Sequence, residues 1–241
     1  MKILFIIINY MNSIKSIAIG LLTIIILIGC KKEKTEVEKT TDQKPEWSSI
    51  FNGENLDGWI PKINGFALND NAMNTFIVED GVMKVSYKNY ENFDDEYGHI
   101  FYKNPYSSYK FRMDYRFKGE QAPGGQGWAT KNSGVMIHCQ SPESMDLDQG
   151  FPVSIEVQLL GGVEENVERP TANLCTPGTH VIMADSLVNK HCISSSTKTF
   201  YGDECINLEI EVYSDTLITN NINVENVISN SKKNIGGEYN N

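Results

Sequence analysis

Positive charge is scarce in this chain of 241 residues, where 21 Lys and Arg face 31 Asp and Glu for a formal net charge of -10. There is no basic stripe, and nucleic-acid phosphates would be repelled, so nucleic acid is excluded as a partner. The five cysteines include no C-x-x-C pair, which argues for disulfides or buried thiols over zinc. From Trp47 onward no helical hydrophobic period of useful length occurs, and there is no internal repeat, so helical bundles and solenoids are set aside. The glycine-rich stretch Gly119 to Gly127 lacks the lysine and following helix of a phosphate-binding loop and reads as a connection between strands.

Long apolar runs are confined to the N-terminus. Ile14 to Cys30 reads as a lipoprotein signal, with Lys15 as its positive start, Ile17 to Ile28 as its apolar core and Leu27-Ile28-Gly29-Cys30 as a lipobox-like end. Met11 is read as the initiator and Cys30 as the lipidated first residue of the mature chain. The alternative, an uncleaved membrane anchor, is weaker because the apolar core is shorter than the ~20 residues a span needs. Residues 1–30 are thus the signal segment and 31–46, polar and free of aromatics, a flexible tether. Residues 47–241 form the folded domain. The expected location is the cell envelope, with the domain held at a bacterial membrane through its lipid and facing the periplasm or the surface. Beyond Cys30, Cys139, Cys175, Cys192 and Cys205 remain, an even number that suits disulfides in an exported protein; three pairings are open.

The folded part reads as all-β. Thr75 to Val78, Gly81 to Tyr87, His99 to Tyr102, Tyr109 to Phe117, Gly134 to Gln140, Val153 to Leu160, Gly178 to Ala184 and Ile206 to Tyr213 are short alternating runs separated by Gly, Asn, Asp and Pro clusters. Asp80-Gly81 is a tight-hairpin signal. So many strands without repeats imply two packed sheets, a β-sandwich of jelly-roll type. Two runs carry unusual chemistry. In Asn132 to Gln140 and in Ser154 to Gly162, Val135, Ile137 and Cys139, like Ile155, Val157 and Leu159, alternate toward a core. Their neighbours Met136, His138 and Gln140, and Glu156 and Gln158, then put an imidazole, a carboxylate and two amides on the other face. Adjacent strands would gather these into one polar patch suited to a sugar. Arg112, Asp114 and Arg116 alternate opposite Phe111, Met113, Tyr115 and Phe117 in the same manner, as sugar ligands or as a solvated ion-pair ladder. Trp59 could stack on a sugar ring, but its turn-rich surroundings favour core packing.

Several motifs agree in order with one family. The opening motif Phe51 to Trp59, Val78-Glu79-Asp80-Gly81, Tyr102 with Pro105 and Tyr106, Phe111 to Phe117, the two runs above, Asn173 to Gly178, His191-Cys192 and Tyr201-Gly202-Asp203 resemble the 3-keto-disaccharide hydrolase family, common among bacterial lipoproteins. The similarity covers about Trp47 to Val227. It implies a concanavalin/laminin-G-like jelly-roll β-sandwich and hydrolysis of glycosides already oxidised at sugar carbon 3, by elimination at the glycosidic bond and addition of water. A separate sugar 3-oxidising enzyme would supply that carbohydrate substrate. On this resemblance His138 and Glu156 are the candidate acid and base, or the ligands of a divalent cation as cofactor. Gln140, Gln158, Arg112, Asp114, Arg116 and His191 are the candidate substrate ligands, and Cys175 with Cys192 the candidate disulfide at the site rim. The blander alternative is that His138 and Glu156 pair across strands and only hold the sheet together.

The chain departs from the family pattern in three places. Cys205 stands where tryptophan is usual, Asn220 where histidine is common, and Asn223-Val224 where the turn is commonly Asn-Gly. Relatives usually continue past the position of Asn241, so the closing strands of the sandwich are expected to be missing. These departures sustain a second reading, a lipid-anchored, catalytically inactive carbohydrate-binding sandwich.

Overall fold

The computed structural model describes residues 6–9 and 47–234; the lipobox, Cys30 and the tether lie outside them. Among the described residues no helix is long and apolar enough to cross a membrane. The strands are β1 (Ile6–Asn9), β2 (Ser48–Ser49), β3 (Trp59–Ile63), β4 (Phe76–Glu79), β5 (Val82–Val85), β6 (Gly98–Tyr102), β7 (Ser108–Tyr115), β8 (Asn132–Ile137), β9 (Ile155–Leu160), β10 (Asn173–Cys175), β11 (His180–Met183), β12 (Ser186–Val188), β13 (Cys192–Ile193), β14 (Ile206–Tyr213), β15 (Leu217–Ile222) and β16 (Glu225–Asn234). They form a large antiparallel sheet in the order β12-β11-β16-β15-β14-β7-β1-β2 and a smaller one in the order β13-β10-β9-β8, with the pairs β3-β6 and β4-β5 beside them.

Period-two alternation is what builds the sandwich. Ile206, Leu208, Ile210 and Val212 of β14 and Phe111, Met113 and Tyr115 of β7 are buried on one face of the large sheet. Ile155, Val157 and Leu159 of β9 are buried on the facing side of the small sheet, and all of these belong to one apolar cluster. Each such side chain contributes roughly 1.5–3 kcal/mol by leaving water, enough in sum to fix which face of every strand points inward. The result is the jelly-roll β-sandwich that the strand pattern predicts and the family resemblance implies. Trp59 sits in this core, its indole N–H donating to the Ile50 carbonyl at 3.1 Å, so its packing role prevails.

The large sheet continues beyond β15. β16 pairs with β15 on one side and with β11 on the other, and Ile218, Ile222 and Ile228 are buried there. Asn220, in place of the common histidine, is fully buried and donates to the Ala172 carbonyl at 3.4 Å, a link between the sheets. Cys205 is exposed and free.

The β15-β16 turn has two residues, since Ile222 pairs with Glu225. Asn223 and Val224 both take positive φ, 48° and 68°, as the twist of a two-residue hairpin demands. Asp80-Gly81 makes the same turn with φ of 53° and 70° between Glu79 and Val82, as its sequence predicts. A β-branched residue at positive φ costs about 1–2 kcal/mol, and Val224 recovers nothing by packing because it is 87% exposed. Val224→Gly is therefore expected to raise stability by about 1 kcal/mol, glycine's own backbone entropy offsetting part of the gain. Urea midpoints of the two proteins check this, and a lower midpoint for the glycine variant would refute it.

Candidate active site

The outer face of the small sheet carries the chemistry. In register, Gly134 of β8 lies beside Gln158 of β9 and Asn173 of β10, and Met136 lies beside Glu156 and Cys175. Glu156 needs the missing side chain of its neighbour: a Cβ on Gly134 would stand 2.4 Å from one Glu156 carboxylate oxygen. Among the described residues no lysine or arginine forms an ion pair with Glu156. Burial alone acts on the carboxyl, disfavouring its charged form and raising its pKa to about 7. A carboxyl poised there is half-ionised at neutral pH and can both take and return a proton.

Glu156 opens into a cleft of about 1020 Å³ that His138, Gln140, Gln158, His191 and Cys192 also line. The structure thus gathers all six site residues read on the two runs and at His191-Cys192, namely His138, Gln140, Glu156, Gln158, His191 and Cys192, but not by simple alternation. β8 ends at Ile137, and His138 takes a φ of 48°, so the imidazole is presented from a turn and not from the pleat. Gln140 is largely spent on the loop that follows: its side-chain oxygen accepts from the Val153 N–H at 2.7 Å and from the Gln149 amide at 2.8 Å. Gln158 accepts from the Asn173 amide at 3.1 Å, which leaves its own amide N–H groups to offer to the cleft. Cys175, fully buried, is bonded to Cys192, joining β10 to β13 at this site.

Arg112, Asp114 and Arg116 do not join the cleft. They stand on the outer face of the large sheet. Arg112 bonds Glu209 at 2.6 and 3.1 Å, Asp114 accepts from the Asn207 amide at 2.9 Å, Arg116 lies 4.0 Å from Asp203, and Lys110 pairs with Glu211 in the same row. Of the two readings the sequence left open for these residues, this is the arrangement of the ion-pair ladder. Sequence alternation made them equivalent to Glu156 and Gln158, but none of the three lines the cleft, and Arg112 is instead covered by the Trp47 ring at 4.4 Å. Nor do the described residues bring any three His, Cys, Asp or Glu side chains together as metal ligands.

Two features escape the sequence. His99 of β6 lines the cleft, and its Nε2 lies 2.7 Å from the Gly150 carbonyl. Since a carbonyl only accepts, Nε2 carries the hydrogen, and burial, assisted by the charge of Lys62, pushes the ring's pKa down against that bond. A neutral ring with Nδ1 as acceptor results. The second feature is an aromatic wall formed by Phe93, Tyr97, Trp128 and Phe151. A lone strand histidine such as His99 has no motif to mark it, and Trp128 stands in the 3-10 turn Gly127–Ala129, too short for any period to betray it.

The chain matches the 3-keto-alpha-glucoside-1,2-lyase-like domain over residues 46–240. It belongs to that family. The matched stretch contains the whole sandwich from β2 to β16 and the entire cleft, so the family and the geometry describe the same unit. No curated protein and no solved structure matched the chain. In this member of the 3-keto-alpha-glucoside-1,2-lyase-like family, Glu156 and Gln158 stand on an outer sheet face and both line the cleft.

Proposed function

We propose that this protein hydrolyses 3-keto-glycosides by elimination followed by hydration, with Glu156 as the base. A ketone at sugar carbon 3 acidifies the hydrogen on carbon 2. Removal of that proton forms the carbon 1–carbon 2 double bond as the carbon 1–oxygen bond breaks, and the departing oxygen takes up a proton. Water then adds, its oxygen to carbon 1 and a proton to carbon 2, so the net change is hydrolysis. The observation that carries this reading is the Glu156 carboxyl held at about 7 by burial inside the cleft, near the operating pH an efficient base requires. On this reading His138 protonates the leaving oxygen and the Gln158 amide bonds sugar hydroxyls, since both line the same cleft as Glu156. The substrate's ketone would be produced by a separate oxidoreductase acting at carbon 3.

Incubating the purified protein with a 3-keto glucoside and measuring released aglycone tests the reading. Binding without release, in wild type and in Glu156→Gln alike, would identify a carbohydrate-binding module in its place.

The proposal extends to location. The Leu27 to Cys30 lipobox and a disulfide of the kind found in oxidising compartments support a lipoprotein of the cell envelope. β1 precedes Cys30, so cleavage at that residue removes it from the mature chain. Fatty-acid labelling is expected in the wild type and lost in Cys30→Ser, and a mature protein of which the mass still includes residues 6–9 would refute the cleavage.

A further inference from the structure

Trp128 is 55% exposed yet tightly placed. Its ring stacks on Tyr97 with centroids 6.0 Å apart and planes 21° from parallel, and Tyr97 in turn rests against Phe93 at 4.9 Å and Phe151 at 4.7 Å. The indole N–H donates to the Gln126 side chain, which itself donates to Asp95 at 3.0 Å. Arg169 holds the backbone of the turn, bonding the carbonyls of Trp128 at 3.1 Å and Gly161 at 2.6 Å. A large apolar face left in water while a guanidinium and two polar side chains fix its position is a surface kept for a flat ligand.

Its location says which ligand. The Asn132 side chain at the start of β8 contacts the Trp128 carbonyl at 3.4 Å, and Asn132, Gly134 and Met136 share the cleft face of the strand. Met136 is the register partner of Glu156, and Gly134 that of Gln158. From Asn132 to Met136 the strand rises ~13 Å at about 3.3 Å per residue, room for two linked six-membered rings in a row. The ring that loses its carbon 2 proton must lie at the buried Glu156 end. The ring beyond the scissile bond then reaches the open end of the cleft.

We infer that Trp128, backed by Tyr97, is the platform on which the leaving-group sugar ring of a 3-keto disaccharide stacks, with Asn132 bonding its hydroxyls. The inference rests on the proposed function for the identity of the ligand. A pyranose presents one face of C–H groups, which carry the positive edge that an indole's negative face attracts, and the site thereby favours a sugar over a small leaving group.

Calorimetry in a Glu156→Gln background, where turnover is expected to be blocked, measures this directly with a 3-keto disaccharide and the corresponding methyl 3-keto glucoside. Trp128→Ala is expected to weaken disaccharide binding by about tenfold more than it weakens methyl glucoside binding, the scale of one lost aromatic contact, and Trp128→Phe to restore most of it. In the Glu156-containing enzyme the same variant is expected to narrow the kcat/KM ratio between the two substrates by a similar factor. Equal weakening for both ligands, no weakening, or no disaccharide binding in either background overturns the platform. Persistent turnover in Glu156→Gln is a different failure. It removes Glu156 as the base while the binding ratio is still read from the wild-type substrate preference.

Discussion

Glu156→Gln is expected to lose a hundredfold or more in turnover while unfolding at a higher temperature than the wild type. The first effect follows from removing a positioned proton acceptor, which contributes about 10²–10⁴. The second follows from the direction of the pKa shift. Burial raises the Glu156 carboxyl from 4.5 to about 7, so the folded state binds its proton more tightly than the unfolded chain does. The stabilisation is fully present below the unfolded pKa and is lost as pH rises through about 7. At about pH 8 the loss in the wild type is on the order of 3 kcal/mol, from ~1.4 kcal/mol per pKa unit, and an uncharged glutamine does not suffer it. The two proteins should therefore converge in stability near pH 4 and diverge above neutrality, as ~pH 4 and ~pH 8 melting curves would display. In the wild type kcat/KM should fall about tenfold per pH unit below about 7, since the base is active only when ionised. A variant as active as the wild type, or one with a parallel pH dependence of stability, would refute both the role and its cause. Gly134→Ala offers a second route to the same group. Its methyl would stand 2.4 Å from the carboxylate, so it should cut turnover by displacing Glu156 with the carboxyl still present.

Replacing both Cys175 and Cys192 by alanine is expected to cost about 3 kcal/mol, the loop-closure entropy released when a cross-link over a stretch of this length is removed. The two cysteines are 17 residues apart and enclose the β11-β12 hairpin. β13 pairs with β10 through only two residues and stands at the edge of the small sheet, so few other bonds would hold it. His191 precedes this strand and lines the cleft, and its backbone carbonyl accepts from the Thr176 N–H at 2.9 Å. Loosening β13 should thus weaken substrate binding as well as stability. Guanidinium denaturation of oxidised, reduced and doubly substituted protein measures the effect, and an unchanged midpoint on reduction would count against it.

Much of this architecture was legible beforehand, for reasons that differ from residue to residue. Ile155, Val157 and Leu159 announce a strand because a two-residue period admits only one buried face. Asp80-Gly81 announces its turn because both residues tolerate positive φ. The closing of the large sheet was less legible: Leu217 to Ile222 and Glu225 to Asn234 are rich in asparagine, and Asn223-Val224 lacks the glycine that signals a hairpin. That hairpin forms because the pairing of β16 with both β15 and β11 outweighs one strained turn residue.

The site divides in the same way. Alternation by itself determined that Glu156 and Gln158 share a face, that Arg112, Asp114 and Arg116 share another, and that the folded part is all-β, because strand periodicity is a local property of the backbone. Which of those two polar faces becomes a cleft was decided only by tertiary structure. The roof over Glu156 and the turn that aims His138 come from packing between distant segments, as does the aromatic wall around Trp128. The desolvation that lifts one carboxylate to about 7, while Glu209 and Glu211 pair with Arg112 and Lys110 on the outer face of the large sheet, depends on what covers a side chain and which charges stand beside it, not on its neighbours in sequence.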